Sequence, residues 1–385
     1  MTANGTIQRN ETADIVIVGG GVIGLMIARS LRQRALDVVL VERSELGKEA
    51  SYAAGGILGP QAEADRADEF FELACQSRNL YPTVASELFE ETGLDIDLDT
   101  SGTLYLALTE ADESEVAERF EWQTRAGLSV SRLTAAEARG LEPVIAAHVR
   151  TVLHFPGDIQ VDNRRLLTAL IEANHKLGVR VLTRTMVQSI QCEAGRIKGV
   201  VTSRGTISTP RIVLAAGAWT SMISAARNEP LPRIEIEPVR GQMVCLQTTP
   251  RALRHLLYSP RGYLVPRRDG RVLAGSTTEE VGFAKEVTAG GIAKILKQTL
   301  EIAPVLASAP VIDIWAGFRP RAEDHLPVLG QSAVEGLFYA TGHYRNGILL
   351  APITARLIVE AITGNVTSPF LSRFSPQRFN LVGVH

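Results

Sequence analysis

The sequence predicts an α/β fold in two parts: a parallel sheet flanked by helices, interrupted by an α+β block built on an antiparallel sheet. Three observations predict it. Near the N-terminus, Asp14-Ile15-Val16-Ile17-Val18 is a buried-strand run that meets Gly19-Gly20-Gly21-Val22-Ile23-Gly24 and then a helical pattern with Ile23, Ile27 and Leu31 on one face. Near the C-terminus, Leu337 to Leu350 repeats that order of strand, glycine turn and helix. Between them, Glu235 to about Gly317 returns to alternating strands.

The first element carries the most chemistry. The spacing Gly19-x-Gly21-x-x-Gly24 gives a tight turn, a bare backbone approach to a pyrophosphate, and close packing of helix on strand. The helix that follows aims its unpaired N–H groups and positive dipole end at the phosphates. A second buried strand, Val38 to Val41, ends on Glu42, about 20 residues beyond the glycines, where an acid can hold a ribose hydroxyl. Glu42 would repel the extra phosphate of NADP. These features predict a Rossmann-type dinucleotide site.

Length and composition bound the rest. At 385 residues two domains are expected, with ample core. The formal net charge of -2 and the lack of a basic stripe argue against nucleic acid and anionic membranes as partners. Cys75, Cys192 and Cys245 lie far apart, which fits reduced thiols in a cytoplasmic protein, and no His/Cys cluster suggests a metal. Met1 to Ala13 is polar, without the apolar segment of a signal peptide, and no run reaches membrane-spanning length.

In chain order, Ser51 to Pro60 is small and glycine-rich, too bare for a packed helix. It reads either as a flexible linker or as backbone kept clear for a flat ligand, and Ile57-Leu58 with no charge favours the ligand. Asp68 to Glu91 predicts a helix stopped by Gly93. Thr103 to Leu108 predicts a strand, Glu110 to Ala126 a polar helix, and Thr134 with Glu137 a capping box. Asp162 can cap a helix that ends at Gly178, followed by the strand Val179 to Leu182. Turns at Glu193-Ala194-Gly195 and Ser203-Arg204-Gly205 mark a meander, closed by Ile212 to Gly217 and Trp219. Further strands are expected at Val239 to Leu246, Gly262 to Pro266, Arg271 to Ala274 and Val311 to Ala316, with one helix from about Ala289 to Ile302.

With Ala53 to Gly59, Leu214 to Trp219, Trp315-Ala316-Gly317-Phe318-Arg319-Pro320 and Gly342-His343-Tyr344-Arg345-Asn346-Gly347-Ile348-Leu349-Leu350, these motifs recur in the order seen in FAD-dependent amine oxidases of the D-amino-acid oxidase type. The resemblance covers about residues 14 to 370, and within that family the chain most resembles the branch that oxidises glycine for thiazole formation. It implies a Rossmann-type FAD-binding domain at 12-62, 154-228 and 318-370, with an inserted α+β substrate domain at 63-153 and 229-317. Beside Gly19, Gly21 and Gly24, it implies adenylate contacts from Val22, Ile23, Glu42, Arg43, Ala50, Ser51 and Val187. It places Gly55, Gly56 and Ile57 near the flavin, Gly217 at a strand end where ligands sit, and His343, Tyr344, Arg345, Asn346, Gly347, Ile348 and Leu349 along the ring. Arg319 would clamp a substrate carboxylate, with Tyr263 as hydroxyl donor and Arg345 near substrate and flavin. The covalent branch of the family uses a cysteine in the C-terminal half; none follows Cys245, so FAD is expected to be non-covalent.

The residues alone support part of this. A carboxylate wants a planar, permanently charged fork, which Arg supplies. Arg319 ends an apolar strand, yet Arg321, Glu323 and Asp324 leave a surface ion pair open, and Tyr263 alone reads more readily as a core tyrosine, its site role resting on the resemblance. The helix after Asn346 would aim its positive end at the flavin's pyrimidine edge. The resemblance implies a small amino acid as substrate, hydride transfer to flavin N5, imine hydrolysis and dioxygen as acceptor with peroxide released, without an obligatory Asp, Glu or His base. Sarcosine or small D-amino acids are alternative substrates. A quinone-coupled dehydrogenase and a flavin-binding subunit without turnover are the rival readings, and a homo-oligomer is compatible with all of them.

Overall fold

The computed structural model describes residues 11–226, 231, 234–364 and 368–379. The polar stretch before residue 11 and the expected boundary at 228/229 lie outside them.

The strand Ile15–Val18 sits inside a six-stranded sheet ordered Val328–Gln331, Leu337–Thr341, Ile212–Leu214, Ile15–Val18, Val38–Val41, Arg180–Leu182. All neighbours run parallel except the edge strand Val328–Gln331. The run is apolar throughout because both faces are covered. Side chains alternate across a strand, so Ile15 and Ile17 join a core with the helices Val22–Arg32, Glu69–Thr92, Asn163–Lys176 and Gly347–Thr363. Val16 and Val18 instead meet Ile190, Ile197, Val200 and Ile207. Those four belong to a five-stranded sheet of Glu11–Thr12, Gly205–Ser208, Arg196–Thr202, Val187–Glu193 and Ser224–Ala225.

The expected block of alternating strands forms an eight-stranded sheet: Val311–Ala322, Ile236–Gln247, Arg271–Gly275, Gly262–Pro266, Leu256–Ser259, Thr103–Ala107, Thr151–Phe155, Ser131–Thr134. It is antiparallel except where Leu256–Ser259 pairs in parallel with Thr103–Ala107, the seam that joins two distant chain segments. Helix Ala289–Ile302 covers one face through Ile295 and Ile302. The other face carries Met243, Tyr263, Val265 and Trp315. Two expected boundaries, 153/154 and 317/318, fall inside strands of this sheet, Thr151–Phe155 and Val311–Ala322.

Local signals explain most helix limits. The Asp68 carboxylate accepts from the Phe71 N–H, and Gly93 closes that helix at φ +76°. Asp162 accepts from the Arg164 and Arg165 N–H groups, and Thr134 and Glu137 form the reciprocal capping box. One expectation needs correcting. Ser51 to Pro60 is not helix-free: Ala50–Ala53 makes one helical turn, and Ile57–Leu58 pairs with Ile159–Gln160. The turn fits because it lies against Gly317, where an added Cβ would come within 2.4 Å of the Ala53 Cβ.

Pro352 inside helix Gly347–Thr363 cannot donate to the carbonyl four residues earlier. The buried Tyr81 hydroxyl donates to that Ile348 carbonyl instead. Next to it, Ser77 Oγ donates to the Leu349 carbonyl at 2.6 Å. Helix Glu69–Thr92 thus fixes the opening turn of the C-terminal helix, which faces the cavity described next.

Candidate active site

A cavity of about 400 Å³ lies between the carboxyl ends of the parallel strands and the Tyr263 face of the eight-stranded sheet. Ligands gather at this position in α/β folds. One half is walled mostly by backbone. Gly19 adopts φ +112°, and a Cβ there would sit 2.4 Å from the Ala215 carbonyl oxygen. Gly24 packs helix on strand, since its Cβ would fall 1.9 Å from the Gly19 oxygen. Gly21 lines the cavity and ends the turn without a side chain to cap helix Val22–Arg32. The first-turn N–H groups of a helix have no partner within it; Ser51 Oγ accepts from that of Val22 at 3.0 Å.

Glu42 is held at the cavity wall by the N–H groups of Gly20 at 2.8 Å and Ser44 at 2.9 Å. The Arg43 guanidinium lies 3.7 Å above the Trp219 ring and pairs with Glu49 at 2.8 Å, forming a flat platform beside Ala50, Val187 and Gly217. Gly56, at φ +74°, leaves no room for a Cβ, which would meet the Val161 oxygen at 2.0 Å. Its neighbour Gly55 offers its carbonyl to Arg267 Nη2 at 2.8 Å, and Ile57 completes that wall. Opposite stands the start of helix Gly347–Thr363, whose cap Asn346 makes no side-chain bond to it. Asn346, Gly347, Ile348, Tyr344 and Ile23 all line the cavity.

Bare glycines give the space, two helix N-termini the donors and a fixed carboxylate the acceptor that a dinucleotide needs, so the residues fit FAD. Two expected contacts do not face the cavity. Gly24 acts through packing alone, and Leu349 turns into the helical core at 1% exposure because its helical position points away from the opening. His343 is buried, with Nε2 3.0 Å from Thr354 Oγ1, and burial pulls it down to about 3. It is a neutral hydrogen-bonding residue.

The other half is built from side chains. Arg319 lies on Val311–Ala322 opposite Val239, in a groove kept open by Gly241, where a Cβ would strike the guanidinium at 2.3 Å. Its Nη1 donates to the Thr277 carbonyl at 3.1 Å and its Nη2 to Ser276 Oγ at 2.7 Å. The alternative surface ion pair is not formed: Asp324 pairs with Arg378, Arg321 with Glu237, and no carboxylate ion-pairs with Arg319 among the described residues. Burial depresses its guanidinium below the usual arginine range, and it carries its charge into the cavity. Tyr263 stands beside it with its hydroxyl 3.4 Å from Met243 Sδ, in space left by Gly275. Arg345 differs: Glu63 lies 3.5 Å from its Nε, its Nη2 donates to the Tyr258 hydroxyl at 3.2 Å, and Glu63 raises its pKa.

Glu63, Tyr258, Met243, Gly241 and Gly275 were not signalled as site residues by sequence reasoning. For the glycines a signal existed, because an isolated glycine within a strand marks a close approach. Among the described residues there is no cluster suited to a metal and no helix long and apolar enough to cross a membrane.

Residues 14–361 match the DAO family, described as FAD dependent oxidoreductase. The glycine oxidase of Geobacillus kaustophilus is 36% identical over 369 residues, covering 95% of this chain and 97% of that protein. Its crystal structure superposes with a TM-score of 0.90 at 34% identity, over 96% of this chain and 99% of that one. The bifunctional protein ThiO/ThiG of Synechocystis is also 36% identical, but the match covers 96% of this chain and 54% of that protein, so the chain spans about half of such relatives.

Proposed function

The chain belongs to the DAO family of FAD-dependent oxidoreductases, and on that premise we propose that it oxidises small amino acids, glycine first. The observation that carries the reading is Arg319: a half-buried guanidinium without a carboxylate partner among the described residues, opening into the same cavity as the dinucleotide cradle. Such a charge is costly until an anion meets it, and the planar fork matches a carboxylate. Tyr263 would donate its hydroxyl to the same group. Met243 and Tyr263 leave space suited to an α-carbon with little or no side chain.

The overall reaction would be glycine, dioxygen and water giving glyoxylate, ammonia and hydrogen peroxide, with sarcosine and small D-amino acids as lesser substrates. Bound FAD would supply the two-electron acceptor for the α-hydride. The chain's own part is to pin the carboxylate at Arg319, exclude water with Tyr263 and Met243, and present the C–H bond. Positioning of this kind is worth on the order of 7–11 kcal/mol in favourable cases. No protein base is required: burial leaves His343 a weak base and its Nε2 is engaged by Thr354, and Glu63 is engaged by Arg345 and Tyr258. We assign the glycine-walled half, with the helices around the six-stranded sheet, to cofactor binding, and the eight-stranded sheet to substrate binding. Working from the ThiO/ThiG name of the half-matched relatives, we place the activity in thiamine biosynthesis.

Oxygen uptake and peroxide release, measured over glycine, sarcosine, D-alanine and D-proline, test this. Glycine turnover with stoichiometric peroxide is expected. Turnover without peroxide would point to a dehydrogenase instead.

A further inference from the structure

The two arginines of the substrate half, Arg319 and Arg345, are in opposite electrostatic states, and one carboxylate makes the difference. Glu63 Oε2 lies 3.5 Å from Arg345 Nε, while Glu63 Oε1 accepts from the Tyr258 hydroxyl at 3.3 Å. The same hydroxyl accepts from Arg345 Nη2 at 3.2 Å, which closes a three-membered polar ring whose Glu63 and Arg345 line the cavity. Of these two arginines, Arg319 has no carboxylate partner among the described residues. The placement of Glu63 is not loose. It ends the short helix Pro60–Glu63, whose Gln61 and Ala62 N–H groups donate to the buried Asp158 carboxylate at 3.1 and 2.8 Å. Arg119 Nη1 holds the Gln61 carbonyl of that turn at 3.1 Å. The Glu63 side chain is 15% exposed and that of Arg345 is 29% exposed, so both groups act where water screens poorly.

We propose that Glu63 is a specificity-determining residue: by neutralising Arg345 it makes the pocket select amino acids with one carboxylate and reject those with two. This rests on the reading of Arg319 as the carboxylate clamp. With Glu63 charged, a second carboxylate near Arg345 meets a carboxylate already there, and like-charge juxtaposition is a strong discriminator. With Glu63 neutral, Arg345 becomes a second anion-binding fork in the same cavity, aided by Tyr258. The ligand class gained is a small dicarboxylate, such as D-aspartate or iminodiacetate as substrate and malonate as inhibitor.

The test uses Glu63→Gln, which keeps shape and hydrogen-bonding capacity, in the FAD-loaded protein. Two ratios are read: kcat/KM for D-aspartate and iminodiacetate relative to glycine, and the dissociation constant of malonate relative to acetate from perturbation of the visible flavin band. Both should shift toward the dicarboxylate by about tenfold or more, with the shift shrinking as salt rises. Adding Arg345→Met to Glu63→Gln should erase the gain, which a mere enlargement of the pocket would not do. Ratios that stay put while glycine is still oxidised would overturn the proposal alone. So would a hundredfold loss of glycine turnover without any dicarboxylate gain. A wild-type holoprotein that neither oxidises glycine nor binds acetate would overturn the clamp reading first, and this inference with it.

Discussion

The two halves of the cavity are built from different materials. The cofactor half is backbone: glycines at 19, 21, 55 and 56, and the opening turns of helices Val22–Arg32 and Gly347–Thr363. The substrate half is side chain: Arg319, Tyr263, Met243, Arg345 and Glu63 on the sheet face and the loops beside it. At Gly19 and Gly56 the backbone cradle leaves no room for an added atom, whereas side-chain walls can be retuned one residue at a time. Damage to the first half should therefore be structural, and damage to the second chemical.

The largest expected effect breaks the first half. Gly24→Ala puts a methyl group 1.9 Å from the Gly19 oxygen, a backbone atom that cannot yield. Overpacking of this kind costs typically about 1–3 kcal/mol and occasionally more, and the variant should lose bound FAD and fall in thermal midpoint together. Gly21→Ala sharpens the contrast, because its Cβ would meet only the Ser51 hydroxyl at 3.2 Å. That variant should fold normally and show its defect in FAD affinity alone, as followed by flavin fluorescence on titration.

Next comes a break in the second half. Arg319→Lys keeps a charge but loses the fork. It should raise the KM for glycine by about a hundredfold, in line with about 2–5 kcal/mol for truncating a buried charged pair. FAD content and melting temperature should stay close to wild type. Unchanged steady-state constants would reject the clamp.

The smallest effects come from two buried groups that oppose each other as pH falls. His343 is pulled from 6.5 to about 3 by burial, so the unfolded chain takes up a proton that the folded chain refuses. Its contribution is present above the unfolded value and is lost as pH drops from about 6.5 toward 3. Asp158, fully buried, is pushed from 3.8 up to about 7. The folded chain keeps that proton, so stability is gained as pH drops from about 7 to 4 and lost as pH rises through 7. His343→Gln should therefore leave the Asp158 trend unopposed. As pH falls from about 6 to 4, its unfolding free energy from urea titration should rise relative to wild type by up to about 1.4 kcal/mol per pH unit.

The same division explains what could be read from the sequence. The cofactor half was legible because backbone demands particular residues: Gly19 and Gly24 leave no room for a Cβ, and Glu42 falls at a fixed distance along the chain. Caps at Thr134 and Asp162 fixed helix starts for the same local reason. The direction of a helical side chain was harder, and Leu349 turned inward where a motif alone placed it against the ligand. The substrate half was less legible because its residues come from distant parts of the chain: Met243, Tyr263 and Arg319 are brought together by antiparallel pairing, and Glu63 meets Arg345 from a separate short helix. Glu63 illustrates this. It follows the glycine-rich loop by a few residues, yet its partners Arg345 and Tyr258 lie roughly two to three hundred residues away along the chain. The glycines inside strands, Gly241 and Gly275, carried a readable signal that pattern-matching by strand period passed over.

The most direct measurement is anaerobic addition of glycine to the FAD-loaded protein, followed at the visible flavin band. Full bleaching in the wild type, shifted to far higher glycine concentration in Arg319→Lys with the cofactor still bound, is the predicted result. A flavin that stays oxidised with saturating glycine, or a variant that bleaches at the wild-type concentration, would contradict the assignment of Arg319 as the group that holds the substrate.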